Sequence, residues 1–273
     1  MRTTLRRYAP YAALALVGLL LLSAIGAYVY FDVLAYDAVE PMSAVEADHD
    51  VVVERAHGGY VIRDPDSEAE TVGLVYYPGG RVSPDAYVET LAPLAAEHDV
   101  TVYVPKMPLN LAVLDQGTAT AVIEGDESVE TWYVGGHSLG GAMACRYAAN
   151  NQQRVDGLVL GASYCDKSIA DSDLAVLAVT GTRDGVLNRD RFESSRSNLP
   201  ADATFVAIEG MNHSQFGHYG GQSGDNRGTI STAQAHEQFV AAVVEWLCAE
   251  GEAVGCESRT GDIQAGGQLV AKV

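Results

Sequence analysis

The fold is decided by the stretch TWYVGGHSLGGAMACRYAA, which runs from Thr131 to Ala149. Its apolar first part predicts a strand and its alanine-rich second part a helix, and a G-x-S-x-G pattern, Gly136 to Gly140, joins the two. Such a sharp turn strains its central residue and leaves room only for small residues two positions away. It would lift the Ser138 hydroxyl off the sheet at a helix N-terminus, where the dipole favours a developing anion. The alternative is a packing turn in which Ser138 merely caps the helix.

Outward from this turn, apolar strands alternate with helices. Strands are predicted over residues 71–77, 100–105, 131–136, 155–162, 174–181 and 204–210. Helices are predicted over residues 84–97, 110–123, 139–150, 189–198 and 232–249. A hairpin around a His-Gly-Gly turn, Val51–Asp64, precedes them. Because the strands are apolar on both faces, the pattern predicts an α/β fold: a doubly wound, mostly parallel sheet of about eight strands with helices on both faces.

Two further polar residues follow strands of this sheet. Asp184 comes just after the strand 174–181, and His213 just after the strand 204–210. The carboxyl ends of parallel strands share one edge, so both side chains should lie near Ser138. A serine nucleophile needs a base, and the base needs an orienting acid, which the chain order Ser138, Asp184, His213 supplies. Taken singly, Asp184 could be a turn former and His213 a solvated loop residue.

The loop after the last strand, EGMNHSQFGHYGGQSGDNRG, contains a second histidine, His218. His213 follows its strand directly and is held more rigidly, so we take His213 as the base. His218 either lines the substrate site or is exposed. A metal shared by His213, His218 and Asp225 is a further alternative, but loop histidines five apart have no register to aim them. We expect no metal and no other cofactor.

A serine nucleophile also needs N–H donors for the oxyanion that forms during acyl transfer. One should be the backbone N–H of Leu139, directly after Ser138. The other should come from the loop YYPGGRVSPDAY, where Gly79 and Gly80 let the backbone approach a substrate closely. Gly80 is the expected donor, with the Arg81 N–H as the alternative. The Arg81 side chain either reaches the substrate or is a solvated surface arginine.

The N-terminus carries an uncharged apolar run from Tyr8 to Phe31, and about 20 residues suffice to span a bilayer as a helix. Arginines precede the run and Asp32 follows it, so the rest of the chain should face outward. We therefore expect a single transmembrane anchor over residues 1–36, with the lipid bilayer as its partner. A signal peptide cleaved near Ala24-Ile25-Gly26, which would release a secreted protein, and a buried core helix are the alternatives.

An acidic linker is expected over residues 37–50, the α/β domain over residues 51–249, and a mobile tail over residues 250–273. The chain has 36 acidic and 17 basic residues, a net charge of −19. Such a surface repels phosphates and excludes nucleic acid as a partner. It is typical of adaptation to high salt, where screening suppresses the repulsion between carboxylates. Nothing in the sequence indicates an oligomeric state.

Four cysteines follow the apolar run. Cys248 and Cys256 lie close together after the last helix, and outside the cell a disulfide between them is expected. Cys145 lies on a predicted buried helix face and is interpreted as a small core residue. Cys165 ends a strand and could be either a disulfide-bonded cysteine or a small core residue. No spacing indicates a zinc site.

The motifs YYPGGRVSPDAY, VPKMPLNLAVLD, VGGHSLGGAMACRYA, TGTRDGV and GMNHSQFGHYG together resemble the alpha/beta-hydrolase fold superfamily over about Val51 to Cys248. The resemblance is to a compact branch similar to dienelactone hydrolases, although those use a cysteine nucleophile where this chain has Ser138. It implies a hydrolase of carboxylic esters or related acyl compounds. Lids are commonly inserted after the strand corresponding to 155–162, and here about a dozen residues reach the next strand. We therefore expect an open site, covered by the 211–230 loop and suited to small or flexible soluble esters.

These features predict a membrane-anchored, outward-facing serine hydrolase that acts on a small-molecule acyl substrate through an acyl-enzyme. An amidase, a peptidase or an acyltransferase would use the same three residues. A catalytically inactive binding module on the same fold is the alternative outside the enzymes.

Overall fold

The computed structural model describes residues 2–66, 72–252, 254 and 256. Most of the tail expected over residues 250–273 lies outside the described residues, as does residue 71 at the start of a predicted strand. Eight strands form one sheet in the order β1-β2-β4-β3-β5-β6-β7-β8. Their bounds are β1 Val52–Ala56, β2 Gly59–Arg63, β3 Val72–Tyr77, β4 Val100–Val104, β5 Thr131–His137, β6 Gly157–Gly161, β7 Ala175–Gly181 and β8 Thr204–Ile208.

The sheet is mostly parallel, as predicted. β1 and β2 form the expected antiparallel hairpin, whose turn residues His57 and Gly58 both have positive φ, 52° and 70°. β2 pairs antiparallel with β4, and all later neighbours pair in parallel. The chain begins its parallel part at β3, adds β4 on one side and then crosses to β5 on the other. Between the carboxyl ends of β3 and β5 there is therefore a crevice of the kind that binds ligands in open α/β sheets.

Helices cover both faces of the sheet, which confirms the predicted layers. The helices are α1 Arg2–Tyr28, α2 Met42–His49, α3 Val88–His98, α4 Thr118–Ile123, α5 Leu139–Asn150, α6 Arg189–Ser195 and α7 Thr232–Glu250. One apolar core contains residues of α2, α3 and α7, and the other contains residues of α4, α5 and α6. Strands β3, β4, β5 and β6 are buried almost throughout, because each contributes side chains to both cores.

The predicted helix over residues 110–123 was wrong for its first half. The chain makes two 3-10 turns, Pro108–Asn110 and Ala112–Leu114, before α4 begins at Thr118. Leu109 and Asn110 have φ of 52° and 51°, which no α-helix tolerates. The segment instead wraps around the Tyr77 side chain, whose hydroxyl donates to the Gln116 carbonyl and accepts from the Ala119 N–H.

The N-terminal helix has an apolar span, Tyr11–Val33, that is long enough to cross a membrane and is not buried against the rest of the described chain. Its last turn, Val29–Val33, is a π-helix. A buried core helix, one of the alternatives from the sequence, is therefore excluded for this span. The same length and composition fit a signal sequence as well as an anchor.

The prediction of an acidic linker over residues 37–50 was wrong, because much of this segment is folded. Residues 42–49 form α2, whose Val45 is buried in the core that also contains α3. Just before α2, Tyr36 forms a β-bridge with Val82 and Ala38 forms one with Tyr219. The segment that leaves the apolar span is therefore joined to the α/β domain along its length.

Both pairs of cysteines are bonded among the described residues. The expected disulfide Cys248–Cys256 is present, with its Cα atoms 5.8 Å apart. Cys145 is fully buried in the core, as predicted, but it also forms a disulfide with Cys165, which the sequence analysis did not predict. This second bond connects α5 to the segment after β6, two elements that come together only in the fold.

No lid is inserted between β6 and β7. Residues 162–174 connect the two strands without a helix or a strand, as the short spacing predicted. The carboxyl edge of the sheet is bordered instead by the loop after β3, the loop after β8 and the segment that follows the apolar span.

Candidate active site

Ser138 sits at a strained turn between β5 and α5. Its backbone has φ 53° and ψ −121°, outside the regions that a non-glycine residue usually adopts. A Cβ at Gly136 would lie 2.6 Å from the Tyr77 carbonyl oxygen, and one at Gly140 would overlap the same atom. Only glycine therefore fits at these two positions, which is the physical reason for the G-x-S-x-G pattern.

Hydrogen bonds from β6 and its following loop fix this turn. The Ser138 N–H donates to the Gly161 carbonyl at 2.9 Å, and the Ser163 hydroxyl donates to the Ser138 carbonyl at 2.7 Å. The Ser138 side chain itself has no hydrogen-bond partner in the described part of the chain and is only partly buried. The backbone of the turn is therefore fixed, while the Ser138 hydroxyl is partly exposed and has no partner in the described chain.

Asp184 and His213 form a buried pair. Asp184 Oδ2 lies 2.8 Å from His213 Nδ1, and the two residues are 8% and 1% exposed. The second carboxylate oxygen, Oδ1, accepts the N–H groups of Val186 and Leu187, both at 2.8 Å. Burial raises the pKa of Asp184, but the hydrogen bond and charge of His213 and these two N–H groups outweigh it. The pKa of Asp184 therefore lies below its usual value, and the carboxylate is ionised at neutral pH.

The other nitrogen of the His213 ring, Nε2, is buried and has no hydrogen-bond partner among the described residues. The ring lies against the ring of His137, with centroids 4.4 Å apart. His137 directly precedes Ser138, so His213 is next to the strained turn. With Nδ1 bonded to Asp184, neutral His213 carries its proton on Nδ1 and keeps Nε2 as a free acceptor.

The loop after β3 offers three consecutive backbone N–H groups, and two of them are already used. The Gly79 N–H donates to the Tyr87 hydroxyl at 2.8 Å, and the Arg81 N–H donates to the Asn110 carbonyl at 2.9 Å. Of the two donors considered from the sequence, Gly80 and Arg81, only Gly80 thus has an N–H without an acceptor in the described chain.

The Leu139 N–H is the second unused donor at this edge. As the first residue of α5 it has no acceptor within the helix, and none is found elsewhere in the described ranges. A Cβ placed on Gly80 would be 3.3 Å from the Leu139 Cδ2 atom, so the two residues are in contact across the crevice. Two unpaired N–H groups on neighbouring residues, one at a helix N-terminus, are suited to an anionic oxygen.

Tyr87 and His137 form a second buried pair that the sequence analysis missed. Burial raises the pKa of Tyr87, so its phenol keeps its proton, and its oxygen lies 2.9 Å from His137 Nδ1. Burial, and then the neighbouring His213, hold the pKa of His137 well below its usual value. His137 is therefore neutral, accepts from Tyr87 at Nδ1, and connects the Gly79 loop to the turn at Ser138.

Asp225 is a further residue of the candidate site whose position only the structure reveals. Its Oδ1 accepts the N–H groups of Gly185 and His213, and its Oδ2 accepts the N–H and the hydroxyl of Ser214. The carboxylate therefore joins the loop of Asp184 to the loop of His213. No pattern in the sequence could have indicated this role, because the aspartate lies in an irregular loop and all but one of these partners are backbone groups.

The structure does not bring Arg81 and His218 into this cluster. The Arg81 guanidinium donates to the carbonyls of Tyr30 and Leu34 and lies over the Tyr30 ring at 3.8 Å. It binds the end of the N-terminal span rather than facing the crevice as a substrate ligand. The predicted substrate-binding role of this side chain is therefore not supported by its position.

His218 lies on the other side of its loop, near Glu89 of α3. Since His213 is bonded to Asp184, and Asp225 to backbone N–H groups, the three residues of the alternative metal site do not converge on one point. In contrast, Asp184 is bonded to His213, the His213 ring lies against His137 directly before Ser138, and Gly80 is in contact with Leu139.

One comparison with known proteins agrees with this architecture. The sequence model of the alpha/beta hydrolase family matches residues 73–237, which run from β3 into α7 and include Ser138, Asp184 and His213. No curated protein matches the chain.

Proposed function

The chain belongs to the alpha/beta hydrolase family, and from this we propose that it is a membrane-anchored serine hydrolase that cleaves carboxylic esters or related acyl compounds. Family membership supports hydrolytic activity in general. The ester substrate, the serine nucleophile and the anchoring are our proposal.

One observation carries the proposal: the buried His213 Nε2, which has no partner and lies beside the strained turn of Ser138. A buried polar nitrogen without a hydrogen bond is costly, so its position calls for an explanation. An acceptor that takes the proton of a serine hydroxyl during the reaction explains it. The buried Asp184 at Nδ1 supplies the orientation and the charge that such a base requires.

In the first half of the proposed reaction, Ser138 Oγ attacks the carbonyl carbon of the ester while His213 Nε2 takes its proton. The carbonyl oxygen becomes an oxyanion and accepts hydrogen bonds from the Gly80 and Leu139 N–H groups. The C–O bond to the alcohol then breaks, and His213 Nε2–H protonates the departing alkoxide. The acyl group remains as an ester on Ser138.

In the second half, a water molecule takes the place of the alcohol. His213 Nε2 removes its proton as the water oxygen attacks the acyl carbon, and the same two N–H groups hold the second oxyanion. When this second tetrahedral intermediate collapses, the proton passes from His213 Nε2 to Ser138 Oγ and the carboxylic acid is released. Asp184 stays ionised throughout and stabilises the imidazolium that forms twice per cycle.

Three observations support an anchor that faces outward. The apolar span Tyr11–Val33 is unburied, the following segment is bonded to the α/β domain, and both cysteine pairs form disulfides. Disulfides persist in oxidising compartments, which fits a domain outside the cell. The absence of a lid between β6 and β7 supports small or flexible acyl substrates.

The test is hydrolysis of a p-nitrophenyl ester series, from acetate to palmitate, by the detergent-solubilised full chain in molar salt. We expect activity that is highest on the short esters. Ser138→Ala should lower kcat by about 10⁴–10⁶-fold. The matched control is Ser194→Ala on the exposed face of α6, which should retain full activity.

Two results would contradict the proposal. Equal activity of Ser138→Ala and the wild type would remove Ser138 as the nucleophile. Failure of a fluorophosphonate probe to label Ser138, in protein that is folded by circular dichroism and inactive on every ester, would favour an inactive binding module. Activity on long esters alone would leave the chemistry intact and overturn the preference for short acyl chains.

A further inference from the structure

A cluster of histidine and glutamate side chains lies on the far side of the His213 loop, away from Ser138. One donor atom from each of Glu40, Glu89 and His218 lies within 4.8 Å of the other two. His49 lies beside the cluster and contacts it through Glu89, since its Nε2 lies 3.2 Å from a Glu89 carboxylate oxygen. The four side chains supply two imidazoles and two carboxylates.

The cluster is unusual because its buried polar atoms lack partners. Among the described residues, three buried side-chain atoms here have no hydrogen bond: His49 Nε2, Glu89 Oε2 and His218 Nδ1. The contact between His49 and Glu89 is close enough for an ion pair but is not aligned as a hydrogen bond. Buried polar atoms are nearly always paired in folded proteins, and a bound ion is one recognised explanation when they are not.

The backbone holds these donors in place before any ion binds. The His218 N–H donates to the Ala86 carbonyl at 2.6 Å, and the His218 carbonyl accepts the Val39 N–H at 3.0 Å. Glu89 lies in the first turn of α3, and His49 is the last residue of α2, a helix that packs on α3. Three of the four residues are therefore fixed by hydrogen bonds or by helices.

We propose that Glu40, His49, Glu89 and His218 form a binding site for Zn²⁺ or a similar divalent transition metal. Imidazole nitrogens favour such ions over Ca²⁺ and Mg²⁺, which prefer oxygen donors throughout. Four donors of this kind suit the tetrahedral coordination of zinc, whose bond lengths of about 2.0–2.2 Å place neighbouring donors roughly 3.3–3.6 Å apart. Glu40, Glu89 and His218 already lie within 4.8 Å of one another, and a closing movement of the exposed Glu40 side chain and of the His49 ring would complete the four donors.

Such a metal would join three parts of the chain. Glu40 and His49 belong to the segment that follows the apolar span, Glu89 belongs to α3, and His218 lies five residues after His213 in the same loop. The ion would therefore connect the membrane-proximal segment to the loop that carries the proposed base. Its role is structural, since none of its four ligands borders the crevice at Ser138.

The experiment uses the full chain in detergent, purified without a histidine tag, stripped with EDTA and kept in molar KCl to suppress loose binding to surface carboxylates. Zn²⁺ is titrated against a chromophoric chelator, and bound metal is counted by mass spectrometry. We expect one tight Zn²⁺ per chain. At saturating Zn²⁺ the melting temperature should rise by roughly 5–10 °C.

The variants His218→Gln and Glu89→Gln should each weaken Zn²⁺ binding by at least about tenfold. The matched control is the double variant His57→Asn, Glu237→Gln, which removes one histidine and one glutamate outside the cluster and should bind as the wild type does. Circular dichroism of the metal-free variants shows whether they are folded. His49→Gln, at the end of a helix, provides a third variant if one of the others does not fold.

Substitution by Co²⁺ gives an independent signal, since a tetrahedral site produces intense visible absorption that should weaken in His49→Gln. The proposal would be overturned if the wild type bound no Zn²⁺ tightly in molar salt, or if the cluster variants bound it like the control. Binding of Ca²⁺ or Mg²⁺ in preference to Zn²⁺ would also overturn it. These results are independent of ester hydrolysis and do not depend on the proposed function of Ser138.

Discussion

At the scale of single residues, Asp184 is the group whose charge the proposed chemistry depends on. Asp184→Asn keeps the shape of the side chain but removes the charge that stabilises protonated His213, and it permits the wrong His213 tautomer. We expect kcat for a short ester to fall by about 10³–10⁴-fold, with little change in KM. The measurement is steady-state hydrolysis in molar salt.

Asp190→Asn is the control for this substitution, because Asp190 is exposed on α6 and makes no contact with the site. It should leave kcat within about twofold of the wild type. A kcat for Asp184→Asn within tenfold of the wild type would show that another group orients His213.

His137 should make the stability of the protein depend on pH. Its pKa in the folded state lies well below the usual 6.5, so below pH 6.5 the unfolded state binds this proton and the folded state does not. The free energy of unfolding should therefore fall as pH drops below 6.5, by up to about 1.4 kcal/mol per pH unit from this group. Urea unfolding at pH 8, 7, 6 and 5 measures the slope.

The comparison for this slope is His137→Gln, which cannot take up the proton. Its stability should fall less steeply between pH 6.5 and 5 than that of the wild type. Parallel curves for the two proteins would mean that His137 does not contribute to the pH dependence.

The positions of some residues of the candidate site could be predicted from the sequence, and those of others could not. Ser138 could be predicted because the turn requires glycine on both sides of it, and Asp184 and His213 because each follows a strand of the same sheet. Tyr87 and Asp225 could not, because their roles depend on hydrogen bonds to groups that the fold brings near. The contacts of the Arg81 side chain could not be predicted for the same reason, since its partners lie at the end of the apolar span.

At the scale of elements, strands and regular helices followed from hydrophobic patterning, and the segment before α4 did not. Residues 110–117 have a helical pattern, but the buried Tyr77 hydroxyl binds their backbone and Leu109 and Asn110 turn the chain. Tertiary contacts of this kind override local preference. The linker prediction failed similarly, because α2 is stabilised by Val45 in a core that the sequence did not reveal.

The disulfide between Cys145 and Cys165 should stabilise the turn at Ser138 by joining α5 to the segment after β6. The two cysteines are 20 residues apart, a loop that corresponds to about 3 kcal/mol by the chain-entropy estimate. We expect the double variant Cys145→Ala, Cys165→Ala to lose about this much free energy of unfolding. Urea denaturation without reductant measures it.

The control is the double variant Cys248→Ala, Cys256→Ala, which opens a loop of only 8 residues at the edge of the domain. It should lose less free energy of unfolding than Cys145→Ala, Cys165→Ala. Adding reductant should lower the free energy of unfolding of the wild type towards the values of the double variants. Equal stability of wild type and Cys145→Ala, Cys165→Ala would show that the bond does not constrain the unfolded chain.

At the scale of the whole molecule, the net charge of −19 should make stability depend on salt. Repulsion between surface carboxylates is screened only when the Debye length falls to a few ångströms, near 1 M salt. We expect the melting temperature to rise by roughly 5–10 °C between 0.1 and 2 M KCl. Thermal unfolding followed by circular dichroism measures it.

Neutralising three exposed carboxylates, in the triple variant Asp190→Asn, Glu237→Gln, Glu245→Gln, should reduce this dependence. It should raise the melting temperature more at 0.1 M KCl than at 2 M. A melting temperature that does not change with KCl would exclude repulsion as a major term in the stability of this chain.

The contacts at the end of the apolar span also decide how this protein would meet its substrates. Only two residues lie between Val33 and Tyr36, which pairs with Val82, so an extended chain spans about 10 Å there. In the anchored enzyme that we propose, the bridge between Tyr36 and Val82 thus stays within about that distance of the end of the span, and the α/β domain is held beside the membrane. Only esters that diffuse to the membrane surface would reach it, so its rate would follow the concentration of soluble esters in the water beside the membrane.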